Sequence, residues 1–174
     1  MKRILFLIIG LSIIVSCGEN NKKNESQSKP AKSVKKTETP KKNVTTYKNG
    51  IANVLITTSD VMKFNIKEFT VNAGEKVKLT LQHIGKLDKK VMGHNVVILK
   101  RDVKLSQFAS KAAAASDNDY IPKGTTDVLA YTKMIGGGET TTIEFTAPDE
   151  AGVYDFICSF PAHYAMMKGK FIVE

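Results

Sequence analysis

Side chains that bind soft metal ions lie close together near the C-terminus of the chain. The segment CSFPAHYAMMKG, residues 158–169, contains Cys158, His163, Met166 and Met167. Thiolate and thioether are soft ligands and imidazole is borderline, so this set suits copper better than zinc, for which a thioether is a poor fourth ligand. Two histidines, one cysteine and a weak axial methionine form a blue-copper site. The segment therefore predicts such a site with one histidine missing.

The chain has two further histidines that qualify as the missing ligand. His83 ends an alternating pattern on the same face as Val77, Leu79 and Leu81, where a histidine is more often a hydrogen-bonded part of the core. His94 follows Gly93 and opens an apolar strand, and a glycine allows the backbone to approach a bound ion closely. His94 is the better candidate.

The N-terminus predicts export. MKR precedes an apolar run at residues 4–15, which is too short to cross a bilayer and is typical of a signal peptide, here residues 1–16. The ending IVSC resembles a bacterial lipobox, in which Cys17 is acylated; a plain signal peptide is the alternative. A lipidated Cys17 leaves Cys158 without a disulfide partner, which favours a metal-bound thiolate in an oxidising compartment.

The positive charge of the chain belongs to a linker. The whole chain has a net charge of +9, but residues 17–50 contain nine lysines against three glutamates, and residues 51–174 are nearly neutral. The net charge therefore does not indicate a nucleic-acid-binding surface. Residues 17–50 are rich in Lys, Asn, Ser, Thr and Pro, so they predict a disordered tether between the lipid anchor and a folded domain.

Short alternating strands follow from residue 51. Strands are predicted at 51–57, 61–65, 77–83, 94–100, 127–132, 143–147, 154–160 and 168–173. The segment 104–115 has apolar residues at helical spacing and several alanines, which predicts one helix. The pattern indicates an all-β fold, a Greek-key sandwich or barrel of about eight strands with one short helical insertion.

Two motifs together resemble those of the azurins, small blue-copper proteins of the cupredoxin family. VMGHN at 91–95 and CSFPAHYAMMKG at 158–169 carry the resemblance, which extends over residues 51–174. Four residues separate the cysteine from the histidine and three separate the histidine from Met167, as in the azurin loop.

The resemblance implies a role for each site residue. His94, Cys158 and His163 would form the equatorial plane around one copper ion, with Met167 and the Gly93 carbonyl oxygen in axial positions. It implies supporting positions around the ligands for four more residues: Asn95 and Ser159, which would tie the ligand loops together by hydrogen bonds, and Met92 and Phe160 beside the site. His83 would be a pH-sensitive neighbour that is not a ligand.

The chain departs from typical azurins at three points. Val96 stands in place of an interior tryptophan, the early disulfide has no cysteines, and Ala162 replaces the glycine before the ligand histidine. These differences imply a repacked core and a changed surface around His163.

The resemblance implies a one-electron carrier that cycles between Cu(I) and Cu(II) in the periplasm or cell envelope. Redox proteins such as c-type cytochromes or respiratory enzymes would dock near His163, on an apolar patch that includes Met134, Pro161 and Ala162. A copper chaperone or store is the alternative. An enzyme is disfavoured because three histidines are too few for a second copper site.

Overall fold

The computed structural model describes residues 44–174. The predicted signal peptide, the lipidation site Cys17 and most of the predicted tether lie outside the described residues. Within them, no helix is long and apolar enough to cross a membrane.

Two β-sheets form the domain. Between residues 44 and 174 the strands are β1 Thr45–Lys48, β2 Ile51–Thr58, β3 Glu68–Val71, β4 Lys76–His83, β5 Val97–Leu99, β6 Val128–Tyr131, β7 Thr140–Thr146, β8 Gly152–Ile157 and β9 Lys168–Val173. Two α-helices, α1 Lys89–Met92 and α2 Leu105–Ala113, and two 3₁₀ turns, Ser116–Asn118 and His163–Ala165, lie between strands.

The sheets have the orders β1-β2-β4-β7 and β3-β9-β8-β5-β6. The pairs β2–β4 and β3–β9 are parallel, and the other pairs are antiparallel.

The main core lies between the two sheets. Alternating residues of β4 face inward, as predicted, and end at the buried His83. Stacked and tilted phenylalanine rings fill much of this core, for example Phe69 on Phe171 with ring centroids 4.8 Å apart. Val96 is fully buried in the same cluster. The core that contains Val96 is thus filled in part by phenylalanines of other strands, such as Phe69 and Phe171.

A smaller core lies beneath α2. Phe108 and Ala112 of the helix pack with Val97, Leu99 and Ile157. The predicted helix is present, and its buried positions follow the spacing seen in the sequence. Strand β5 is buried along its whole length because one of its faces meets the main core and the other meets this helix.

Several boundaries differ from the prediction. The tether was predicted to continue to residue 50, but residues 45–48 form β1, which pairs with β2. Residues 61–65 are not a strand: the chain bends there, and Lys63 N–H donates to the Val61 carbonyl. Strand β3 and helix α1 were not predicted.

Candidate metal centre

Three donor atoms converge at one end of the sandwich. Sγ of Cys158 lies 3.8 Å from Nδ1 of His94 and 3.7 Å from Nδ1 of His163, and the two Nδ1 atoms are 3.3 Å apart. All three residues are buried. A point equidistant from the three atoms lies about 2.1 Å from each, which matches the ligand distances of first-row metals such as zinc. The chemistry of the three donor atoms and the space between them therefore fit a single copper ion.

Each ligand is held by a different element. Cys158 follows β8, and its N–H donates to the Met167 carbonyl at 3.0 Å. His94 forms an isolated antiparallel bridge with Ile135 just before β5. His163 begins the 3₁₀ turn that leads into β9. Because these elements belong to one sandwich, the cluster forms only when the domain folds.

The outer nitrogen of His94 fixes its tautomer. Nε2 donates to the Ser59 carbonyl at 2.9 Å, which leaves the lone pair of Nδ1 directed at the cluster. Ser59 was not predicted as a site residue. Its backbone carbonyl makes this contact, and no property of the serine side chain indicates that role.

Burial controls the protonation of the three donors. It lowers the pKa of His94 to about 4, opposed by the hydrogen bond to Ser59, and it also lowers the pKa of His163. Burial raises the pKa of the Cys158 thiol to about 12, although the backbone N–H groups of Asn95 and Phe160 act in the opposite direction. Near neutral pH the chain therefore presents two neutral imidazoles and a thiol that a metal must deprotonate.

Asn95 links the two ligand segments. Its side-chain Nδ2 donates to Ser159 Oγ at 2.8 Å and to the Asp119 carbonyl at 3.2 Å, and its Oδ1 accepts from the Ser159 N–H at 2.9 Å. The hydrogen bonds expected between Asn95 and Ser159 are present. They join the segment of His94 to the segment of Cys158 and hold the donor atoms together.

Gly93 is required by close packing. Its carbonyl oxygen lies 3.9 Å from Cys158 Sγ. A Cβ at this position would stand 2.3 Å from the Lys89 carbonyl oxygen and 3.0 Å from the sulfur of Met134. No side chain fits there without moving α1. Met92, half-buried in α1, precedes Gly93, and its carbonyl oxygen is 3.1 Å from Nε2 of His83.

The adjacent methionines have opposite environments. Met167 is fully buried in the same cluster as Cys158, and its N–H donates to the His163 carbonyl at 2.8 Å, whereas the Met166 side chain is 62% exposed. Ala162, before His163, has a φ of 66° in the left-handed region. The alanine thus adopts the backbone conformation that a glycine would allow.

His83 lies beside the cluster and outside it. Its ring stacks on His94 with centroids 4.9 Å apart. Nδ1 accepts from the Gly85 N–H, so the other nitrogen, Nε2, is the one that donates to the Met92 carbonyl. Both ring nitrogens are therefore used in the protein, and neither is directed at the three donors. On the other side, the Phe160 ring contacts His163 with centroids 4.6 Å apart.

Comparison with known proteins shows which family has this arrangement of donor residues. Residues 51–174 match the family model described as copper binding proteins, plastocyanin/azurin family. The chain belongs to this family. Azurin-1 of Alcaligenes xylosoxydans xylosoxydans is 42% identical over 114 residues, which are 64% of this chain and 88% of the relative. Azurin of Pseudomonas chlororaphis is 39% identical over 122 residues, which are 68% of this chain and 95% of the relative.

Solved structures of the family have the same fold. Dithionite-reduced auracyanin of Roseiflexus castenholzii superposes with a TM-score of 0.64 at 34% identity, over 70% of this chain and 96% of the auracyanin. An azurin of Methylomonas sp. strain J superposes with a TM-score of 0.64 at 31% identity, over 70% and 97%. The predicted all-β cupredoxin fold is confirmed.

The predicted cofactor and chemistry are confirmed as well. Family membership and the cluster of His94, Cys158 and His163 identify a type 1 copper site that transfers single electrons. The relatives are electron carriers rather than classical enzymes. The axial roles of Gly93 and Met167 remain predictions.

Proposed function

We propose that this protein shuttles single electrons between redox proteins of the cell envelope while lipid-anchored through Cys17. The observation that carries the proposal is the buried three-donor cluster, whose Nδ1 and Sγ atoms stand 3.3–3.8 Å apart. His94, His163 and Cys158 would hold the copper, and Met167 and the Gly93 carbonyl oxygen would contact it weakly. Bound copper supplies the one-electron redox chemistry.

The protein contributes rigidity and exclusion of water. The Asn95–Ser159 bonds, the Ser59–His94 bond and the close packing at Gly93 fix the donor atoms before an ion arrives. A site that does not rearrange when the charge of its ion changes lowers the cost of each electron step. The buried cluster also differs from the open, exchangeable site that a copper chaperone requires, so the carrier is favoured.

Partner proteins would dock over His163. The histidine itself is buried, but Pro161 and Ala162 beside it are exposed, and Phe160 is half-buried against its ring. These apolar residues would allow a partner protein to come close to the ring edge of His163. We propose c-type cytochromes or respiratory enzymes as the partners, because both present exposed redox groups to small carriers.

Addition of Cu(II) to the protein tests the site. The copper-loaded protein is expected to turn intensely blue from charge transfer out of the Cys158 thiolate, and Cys158→Ser is expected to remove the colour and leave the fold intact. The two neighbouring histidines supply a matched pair: His94→Gln is expected to lose the blue band, and His83→Gln is expected to keep it. A colourless wild-type copper complex would refute a type 1 site.

The anchor is tested separately from the copper. Cys17→Ser is expected to shift the protein from the membrane fraction to the soluble fraction and to leave the absorption spectrum unchanged. A tether that starts at Cys17 and ends before β1 has an average span of roughly 30 Å if it behaves as a flexible coil. Deletion of residues 22–43 is therefore expected to slow electron exchange with membrane-bound partners in reconstituted membranes; unchanged exchange would exclude a role for the tether's length.

A further inference from the structure

The turn that follows helix α2 contains two neighbouring residues in an unfavourable backbone conformation. Asp119 has a φ of 50° and Tyr120 a φ of 59°. In residues 44–174 they are the only neighbouring pair without glycine that has a positive φ at both positions. Aspartate tolerates this left-handed region comparatively well, but a bulky tyrosine rarely adopts it. Strain of this kind persists only where surrounding contacts hold it, and it is concentrated at functional sites.

Asp119 is bonded to the chain on both sides of His94. Its carbonyl oxygen accepts from Nδ2 of Asn95 at 3.2 Å, and its carboxylate accepts from the N–H of Met134 at 3.2 Å. Asn95 follows His94 directly, and Met134 precedes Ile135, with which His94 forms its β-bridge. Asp119 therefore holds together the two backbone segments between which His94 is fixed.

Tyr120 reaches the other histidine ligand through a second ring. The Tyr120 ring lies edge-on to Phe160, with centroids 5.2 Å apart and an angle of 61° between the planes. Phe160 in turn contacts His163 with centroids 4.6 Å apart, and its carbonyl oxygen accepts from the His163 N–H at 3.0 Å. The Phe160 ring thus lies between Tyr120 and the ligand, so that Tyr120 limits how far Phe160 and His163 can move.

We propose that Asp119 and Tyr120 are positioning residues of the copper centre. Together they hold the two histidine ligands, which stand 69 positions apart in the chain, at one place in the fold. The proposal rests on the type 1 copper site described above and adds two residues that act on the ligands only through their neighbours. Replacement of residues that orient metal ligands typically changes metal affinity by about 10–100-fold. A turn that served only to connect α2 with β6 would affect stability and leave the copper unchanged.

The two oxidation states of copper are expected to respond differently to the loss of the Tyr120 ring. Cu(I) is a soft ion that thiolate and thioether ligands favour, whereas Cu(II) depends more on the imidazole of His163. Tyr120→Leu is therefore expected to weaken Cu(II) binding about tenfold and Cu(I) binding less than about threefold. The reduction potential should rise accordingly. Competition with chelators measures both affinities, and voltammetry measures the potential.

Matched variants separate the aromatic contact from the backbone strain. Tyr120→Phe retains the ring and is expected to bind both ions within about twofold of the wild type. Tyr120→Asn lacks the ring but accepts a left-handed φ more readily, so it is expected to lose Cu(II) affinity as Tyr120→Leu does while unfolding at a higher denaturant concentration. Tyr131→Leu, which removes an exposed tyrosine from β6, is the control and should leave both affinities unchanged.

The metal-free protein provides a readout that does not depend on copper. Hydrogen exchange of the His163 N–H reports how firmly its bond to the Phe160 carbonyl is held, and exchange of the amides in β4 reports opening of the whole domain. In Tyr120→Leu the His163 N–H is expected to exchange about tenfold faster relative to the β4 amides than in the wild type. Tyr131→Leu should leave this ratio unchanged.

The possible outcomes are distinguishable. Absence of the blue band in copper-loaded wild-type protein would refute the electron-carrier function itself. With the band present, wild-type affinities for both ions in Tyr120→Leu, or an equal loss in Tyr120→Leu and Tyr120→Phe, would overturn the positioning role. If Tyr120→Leu does not fold, the less strained Tyr120→Asn decides: wild-type Cu(II) affinity and an unchanged reduction potential in this variant would show that the turn is only a connection.

Discussion

At the scale of single residues, we expect Met167, the proposed axial contact, to influence the reduction potential of the copper. Met167 is buried beside Cys158 and Met166 is exposed, but the extended chain expected to separate them is absent, because Met166 ends the 3₁₀ turn with φ −102° and ψ −34°. A thioether donates weakly and stabilises Cu(II) more than Cu(I). Met167→Leu, which nearly conserves volume, is therefore expected to raise the reduction potential and keep the blue colour. Voltammetry checks this, with Met166→Leu as control; a larger positive shift in Met166→Leu would place the ligand one residue earlier.

Ala162 carries a measurable backbone strain. A left-handed φ costs a residue with a Cβ about 1–2 kcal/mol, whereas glycine loses about 0.5–1 kcal/mol of extra chain entropy on folding. Ala162→Gly is therefore expected to raise the free energy of unfolding of the metal-free protein by about 0.5–1 kcal/mol. Unfolding by denaturant measures this change in the free energy of unfolding. Ala165→Gly, in the adjoining 3₁₀ turn without a positive φ, should lower stability instead, and equal effects of both changes would contradict the strain.

At the scale of secondary-structure elements, helix α2 stabilises the domain without taking part in the metal centre. Phe108 is almost fully buried in the smaller core, which contains none of the three metal donors. Phe108→Ala is expected to lower the free energy of unfolding by about 3–5 kcal/mol while the blue absorption band is retained. Ser106→Ala, an exposed change on the same helix, should alter stability by about 0.5 kcal/mol or less. Loss of the blue band in Phe108→Ala would show that the helix also positions the ligands.

The elements also show where prediction from the sequence succeeds. Strand β4 and helix α2 were predicted because each buries one face at a regular spacing. Strand β3 was missed because its alternation of half-buried and buried residues spans only the four positions Glu68–Val71, and its partner, β9, is about a hundred residues away. Residues 61–65 have a strand-like composition. The Oδ1 atom of Asn65, however, accepts a hydrogen bond from the N–H of Thr57, and this contact bends the segment.

For the metal centre, too, the sequence predicts some features and misses others. Cys158, His163 and Met167 lie within ten residues, so their chemistry is visible in one segment. His94 was recognisable from the preceding glycine. The Asn95–Ser159 hydrogen bonds were expected, but two other contacts were not: the Ser59 carbonyl accepts from His94, and the Asp60 carboxylate accepts from the backbone N–H groups of Lys86 and Leu87. Long-range backbone contacts leave no pattern of residue types.

At the scale of the whole molecule, copper binding links folding to pH. Burial raises the pKa of Cys158 to about 12 and lowers that of His94 to about 4, so between these values the metal-free protein holds a thiol and a neutral imidazole. Copper binds the thiolate, so each ion taken up must displace one proton. Affinity is then expected to rise about tenfold for each pH unit, with a steeper dependence below pH 4, where His94 also binds a proton.

This linkage predicts how thermal stability changes with pH. A ligand that binds only the folded state stabilises it in proportion to the logarithm of its affinity. The difference in melting temperature between copper-loaded and metal-free protein should therefore shrink steadily as the pH falls from 8 to 5, in the presence of a fixed concentration of free copper. Calorimetry gives the melting temperatures, and a pH-stat titration counts the protons released. Cys158→Ser should release no proton upon addition of copper. Wild-type uptake without proton release would mean that the thiolate already exists in the metal-free fold, and that burial does not raise the Cys158 pKa as described.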